Sequence, residues 1–356
     1  MDVTQFVPLM WSYAYELLWS PSFWLPPNAT WRTFLVSNNA TGVQYRDLDD
    51  LWLPPKYALG LIVLRIILEW RLIRPFGRSL GIRDNPATAS AHLKSRLDKF
   101  AESTWRFGFY FSIFLYGCFA MLDRSWLWDS DDCWRGYPHH EMDARIRWYY
   151  LLEQSFYWSL MYSQFFDVHR KDFAMNLAHH VAAIALMCLS WTTNFVRIGT
   201  VVMLLHDASD FWLEVGKMAK YSDREALCNG IFVVFVIVWF TTRCGLYPFV
   251  ILRPCLVTAT EYIEMFNVYY AFAGLLCLLQ LLHWAWSIMI IRVVWRVLSG
   301  KVIDDCRSED EWSDGETEQE TQKTMRNRVK LLNHKTDVNG SCHEPANCVG
   351  SRVKID

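Results

Sequence analysis

Seven stretches of this 356-residue chain are apolar over lengths that suit a bilayer, and each confines its backbone to a membrane-spanning helix. They lie at 53–70, 104–122, 148–166, 173–193, 196–216, 229–250 and 265–296. The clearest are Ile231–Phe240 with its flanks and Phe266–Ile291. The first is the weakest, because Arg65 and Glu69 interrupt it. The pattern predicts an all-α polytopic membrane protein of about seven transmembrane helices. No basic n-region, short apolar core and small-residue cleavage site occur in series, so no cleaved signal peptide is expected.

Loop charges orient the spans. Residues 71–106 carry eight Lys/Arg, whereas 123–147 carry four against six Asp/Glu. Arg170 and Lys171 fill a short turn, one basic residue lies near Asn194–Arg197, three lie at 217–224, and 251–264 holds only Arg253. This alternation places the N-terminus outside or in a lumen and the C-terminus in the cytosol. Sequons at Asn28 and Asn39 precede the first span and agree as glycosylation sites. The Asn339 sequon falls on the other side and is expected to stay bare.

From 299 onward the chain is polar, with Trp312 its only aromatic, and lacks the apolar surface to fold alone. Ser308 and Ser313 precede acidic residues and are candidate phosphorylation sites; a solvated acidic linker is the plainer alternative. A net charge of −2 gives no global field for a polyanion, so no nucleic-acid partner is expected. The ten cysteines include no CxxC pair, and several sit in apolar runs; neither a disulfide framework nor a metal cluster is expected.

Ionisable groups inside spans are costly and mark function by default. The fourth span carries Asn176, His179 and His180; the fifth carries Arg197, His206, Asp207, Asp210 and Glu214. His179 is seven residues past Asp172, and Asp210 seven before Lys217, which puts both about 10 Å deep on antiparallel neighbours. Asp207, Asp210 and Glu214 share one helix face. A neutral imidazole here can take a proton from an amine or attack an acyl carbon, with a carboxylate to orient it. The set also has the donor chemistry of a metal site, though no metal is assigned. A buried polar network that only fixes packing is the alternative. Adjacent helical residues diverge, so one histidine is expected to work and the other to support.

These residues have a pattern. Arg170–Phe173, Ala178-His179-His180, Asn194-Phe195-Val196-Arg197-Ile198-Gly199-Thr200, Leu204–Asp210 and Leu213-Glu214 to Lys217 resemble the Lag motif of ceramide synthases. Lys99–Arg106 with Phe109-Tyr110 is similar to that family's K-F-x-E-x-x-W-R element, and Gly300–Glu309 to its cytosolic end. About 22 residues separate Arg74 from Lys99, too few for the homeobox-like domain of many animal members, so the chain resembles the branch without it.

The resemblance implies a six-helix TRAM-Lag-CLN8 bundle over 96–298, with the Lag motif at about 170–221. Around it would lie a lumenal segment 1–52, a first helix 53–74, a linker 75–95 and a tail 299–356. It implies a multi-pass enzyme of the endoplasmic-reticulum membrane that transfers a fatty acyl group from acyl-CoA to the amine of a sphingoid base. His179, His180, Asp207 and Asp210 would be catalytic. Asn176, His206, Glu214 and Arg197 would support them. Arg96, Lys99, Arg106, Arg170, Lys171 and Lys217 are candidates for the CoA phosphates, with positive-inside topology the simpler account of each. Acyl specificity would map to the last lumenal loop, with Arg253, Pro254, Thr258, Glu261 and Glu264. No cofactor is implied, since acyl-CoA is a substrate. Membrane lipids, and a homo- or heterodimer with other ceramide synthases, are the implied partners. A non-catalytic lipid sensor or chaperone of the same fold, or a proton-coupled lipid transporter, is the competing reading.

Overall fold

The described residues of the seven apolar segments fall almost wholly within helices in the computed structural model, which describes Glu16 and residues 19–31, 47–82, 95–165 and 172–299. Helix α1 spans Leu53–Leu68 and runs on through Ser79; α2 is Arg96–Met121, α3 Ala144–Gln164 and α4 Phe173–Thr193. Helix α5 is Val196–Tyr221, α6 runs over Glu225–Tyr262 and α7 is Asn267–Leu298. No strand occurs among the described residues.

The helix ends follow local chemistry. Ser95 and Asp98 close a capping box at the start of α2, each side chain taking the other's backbone N–H. Asp143 accepts the Arg145 N–H at 2.7 Å to open α3. Helix α4 stops at Asn194, whose φ of 61° is the left-handed conformation that asparagine tolerates well. The Asn194 amide donates to the Pro138 carbonyl at 2.6 Å, and Arg197 donates to the Asp132 carbonyl at 2.7 Å. The Asn194–Arg197 part of the motif therefore clamps the α4–α5 turn onto the α2–α3 connection.

Packing joins α2 to α3, α3 to α4, α4 to α7, α7 to α6, α6 to α5, and α5 back to α2. Six helices thus close a ring, and α1 lies outside it against α3. The position of α1 explains its exposed Val63, Ile66, Ile67 and Trp70, which suit lipid. Four helices are apolar enough by composition to cross a bilayer: α1, α4, α6 and α7. Helices α2, α3 and α5 have 26, 21 and 26 residues, ample length, but spend polar residues on the ring interior. Glu102, Glu153, Gln154, His206 and Asp207 are all buried there.

One boundary is corrected. The residues 251–264 read as a loop are helical through Tyr262, so α6 has 38 residues and the connection to α7 is only Ile263–Phe266. The ladder widens to π-helical hydrogen bonding over Phe240–Leu252, around Pro248, and again at Pro254–Thr258. That widening absorbs prolines that would break a regular α-helix.

At the end of the ring where α3 begins, Arg147 forks onto Asp50 at 2.7 and 2.5 Å, and Trp191 donates to the Asp47 carbonyl at 2.9 Å. These contacts hold the segment before α1 to α3 and α4. Asn28 is exposed in a turn. Asn39, Arg170, Lys171, Ser308, Ser313 and Asn339 lie outside the described residues, as do 83–94 of the expected linker and nearly all of the expected tail.

Candidate active site

Consecutive residues of α4 point about 100° apart, and this splits the histidine pair. His180 turns to α3, where its Nδ1–H donates to Gln164 Oε1 at 2.8 Å. Gln164 is itself held by donating to the Phe173 carbonyl at 3.1 Å. His179 instead lines a cavity inside the ring. Its walls are polar at one end, with Glu153, Tyr157, His179, His206 and Asp207, and apolar along most of the rest.

Three imidazoles stand in file from α4 to α5 to α7. The His179 and His206 rings are nearly parallel with centroids 6.2 Å apart, and His206 and His283 are 5.0 Å apart. The edge of Trp286 meets His179 at 5.3 Å. His206 gives its Nδ1–H to the Val202 carbonyl at 2.7 Å, which leaves the Nε2 lone pair aimed at His283 Nε2, 3.1 Å away. Arg243 Nη1 approaches the same His283 nitrogen at 3.3 Å. One nitrogen cannot both donate to His206 and accept from Arg243, so these are alternative proton positions. His179 differs from His180 and His206: its Nδ1 is buried without a partner, so no acceptor fixes its tautomer.

The aspartates also divide. Asp207 lines the cavity and accepts the Tyr149 hydroxyl at 2.7 Å. Asp210 accepts from Arg243 Nη2 at 2.7 Å and from Ser209 Oγ at 3.0 Å. The same guanidinium holds the His206 carbonyl at 2.9 Å and covers Trp239 at 5.1 Å. No hydrogen bond joins either aspartate to His179 or His180 among the described residues. The unlooked-for acid is Glu153, fully buried in the cavity wall against the Asp207 carboxyl. Two carboxyl groups buried side by side are costly unless they share a proton or a group that enters the cavity satisfies them.

The cations of α2 and of the α5 end are paired with acids. Arg106 pairs with Glu102 at 2.6 Å, Lys217 with Glu214 at 2.8 Å, and Arg96 with Asp223. Lys99 shares the Arg96 end of α2. Asn176 is half-buried one turn before His180. Arg197 sits in the first turn of α5, ten residues or about 15 Å from Asp207, and belongs to the turn clamp rather than the histidine file. Pro254 is buried and Thr258 half-buried; Arg253, Glu261 and Glu264 are exposed at the α6–α7 end. No group of three or more His, Cys, Asp or Glu is placed to hold a metal among the described residues.

Comparison with known proteins fits this architecture. A TLC domain family model matches residues 99–292. Human ceramide synthase 5 is 35% identical over 354 residues, covering 86% of this chain and 89% of that protein. Human ceramide synthase 3 is 33% identical, with 85% and 90% covered. Caenorhabditis elegans ceramide synthase hyl-1 is 34% identical, with 84% and 85% covered. The chain belongs to the ceramide synthase family. In this family member the Lag motif supplies His179, His206 and Asp207 to one cavity wall, while its Asn194–Arg197 part builds a turn. Sequence reasoning passed over Glu153, Arg243 and His283, although each is an ionisable residue inside an apolar run.

Proposed function

We propose that this chain transfers a fatty acyl group from acyl-CoA to the amine of a sphingoid base, giving a ceramide and free CoA. The observation that carries this reading is His179 at the polar head of an otherwise apolar shaft. An acyl tail suits the shaft, and its thioester carbon then meets the imidazole. A sphingoid amine must shed its proton before it attacks. His179 takes that proton, or forms an acyl-imidazole that the amine then cleaves. In either route the carbon–sulfur bond breaks, and the sulfur leaves as a thiolate that regains a proton as CoA. Asp207, His206 and Glu153 offer nearby sites for the proton. The relatives' names, ceramide synthases, support the same class of product.

In this proposal all seven helices span the endoplasmic-reticulum membrane, with the N-terminus lumenal and the tail cytosolic. His179 then lies nearer the cytosolic face, where acyl-CoA arrives. The CoA phosphates are met by cations such as Arg106 and Lys217, which exchange their present carboxylates for phosphate. Protease treatment of sealed microsomes is expected to remove the tail and spare an N-terminal fragment glycosylated at Asn28 or Asn39. A protected tail with glycan at Asn339 contradicts this orientation.

The activity itself is tested with purified protein, an acyl-CoA and a sphingoid base. N-acyl product equal in amount to CoA released is expected; neither appearing overturns the proposal. Asp207→Asn keeps the shape and the Tyr149 contact but removes a charge. A loss of roughly tenfold in turnover is expected, which corresponds to about 1.4 kcal/mol. Unchanged turnover at matched protein level makes Asp207 a packing residue.

A further inference from the structure

The cavity has a floor, and its construction implies a limit on what it holds. Beyond the polar head the shaft runs past Leu186, Met187, Val202 and Leu279, then ends at Tyr150, Ser190, Gly199 and Phe272. Tyr150 crosses the end. Its hydroxyl lies 3.0 Å from Ser190 Oγ and donates to the Val196 carbonyl at 3.3 Å, and its ring packs on Trp191 at 5.5 Å. Gly199 makes this possible: a Cβ there would stand 1.7 Å from the Tyr150 oxygen. Residues from α3, α4 and α5 thus close the shaft with a hydrogen-bonded plug, and both Tyr150 and Ser190 are at most 1% exposed.

We propose that this Tyr150–Ser190–Gly199 plug is the ruler that sets acyl-chain length. The proposal rests on the acyl-transfer reading above and adds where the chain must stop. His179 and Ser190 are eleven residues apart on α4, or about 16 Å. The imidazole leans toward the helix N-terminus and lengthens the shaft by a few ångströms more. Carbon–carbon bonds of about 1.5 Å in an anti-staggered chain advance roughly 1.3 Å per carbon. The shaft therefore takes about 13 to 15 carbons, which selects acyl groups near C14 to C16. Each methylene that finds room gains roughly fourfold from burial, and the first that meets the plug loses that gain. The α6–α7 end, with Arg253, Glu261 and Glu264 exposed, lies outside this shaft and its residues do not line it.

An equimolar mixture of saturated acyl-CoAs from C8 to C26, one sphingoid base and limiting enzyme tests the ruler. Product lengths are read by mass spectrometry as fractions of total product, so differences in expression cancel. The unmodified protein is expected to peak near C14 to C16 and to fall steeply above. A peak at C22 or longer, or a flat profile, overturns the ruler without any variant being made. Tyr150→Ala opens the plug and is expected to move the peak up by two to four carbons; Tyr150→Leu opens it less, with a smaller void. Val202→Phe adds bulk one turn above Gly199 and is expected to move the peak down. Peaks that stay in place in Tyr150→Leu and Val202→Phe, with product still formed, overturn the ruler and leave acyl transfer standing. No N-acyl product from any donor in the unmodified protein overturns the underlying function instead, and the ruler with it.

Discussion

His179→Ala is expected to lower N-acyl product by two to four orders of magnitude, the range for removing a group that moves protons or bonds covalently at the reacting centre. Membrane insertion and fold should survive, because the ring meets its neighbours through edge contacts and makes no hydrogen bond that holds two helices together. His180→Ala is expected to cost less, on the order of tenfold. His180 does not line the cavity, and acts through its bond to Gln164, which ties α3 to the start of α4. The two losses are compared at equal protein level in the same membranes. A fully active double variant contradicts the catalytic reading outright. An intact-mass gain of one acyl group in the wild type, absent from His179→Ala, selects the covalent route over the general-base route.

Arg243→Met is expected to damage stability and activity together. The guanidinium side chain is only 3% exposed, yet it ties Asp210, Ser209 and the His206 carbonyl at distances of 2.7 to 3.0 Å. Removing it strands the Asp210 carboxylate in the ring interior, and breaking one side of a buried pair costs about 3 to 5 kcal/mol. Arg243→Lys is expected to rescue poorly, since one ammonium cannot reproduce the planar fork. Arg243→Met combined with Asp210→Asn removes both charges and should recover part of the lost stability, a coupling between contacting residues. Thermal unfolding in detergent reads all four proteins. If Arg243→Met unfolds with the wild type, the cluster is not structural.

Much of this was legible before any coordinates. Apolar runs fell on seven long helices, four of them apolar enough to cross a bilayer, and the α4–α5 turn fell within a residue of its place, because Asn194 is both a polar break and a left-handed cap. Depth arithmetic put His179 and Asp210 at one level, yet it is Asp207, one turn away, that shares the cavity with His179. It could not assign rotation about a helix axis. Asp210, a neighbour of Asp207 on the sequence face, is drawn to Arg243 on α6. The partner was missed because attention rested on two adjacent spans, while Arg243 and His283 arrive from helices remote in sequence. The α6 end was misread because the apolar run stops near residue 250, while the helix continues through Pro248 and Pro254 on a widened ladder. Arg197 was grouped with intramembrane polar residues by its motif, and the clamp onto the Asp132 carbonyl explains the motif differently.

The central claim is that the cavity holds an acyl chain with its reacting carbon at His179. A structure of the protein bound to a non-hydrolysable acyl-CoA analogue tests this most directly. The account predicts the thioester mimic in contact with the His179 ring and the tail running past Leu186 and Val202 to stop at Tyr150. A tail lying on the lipid-facing surface, or an analogue bound with the cavity still empty, contradicts it.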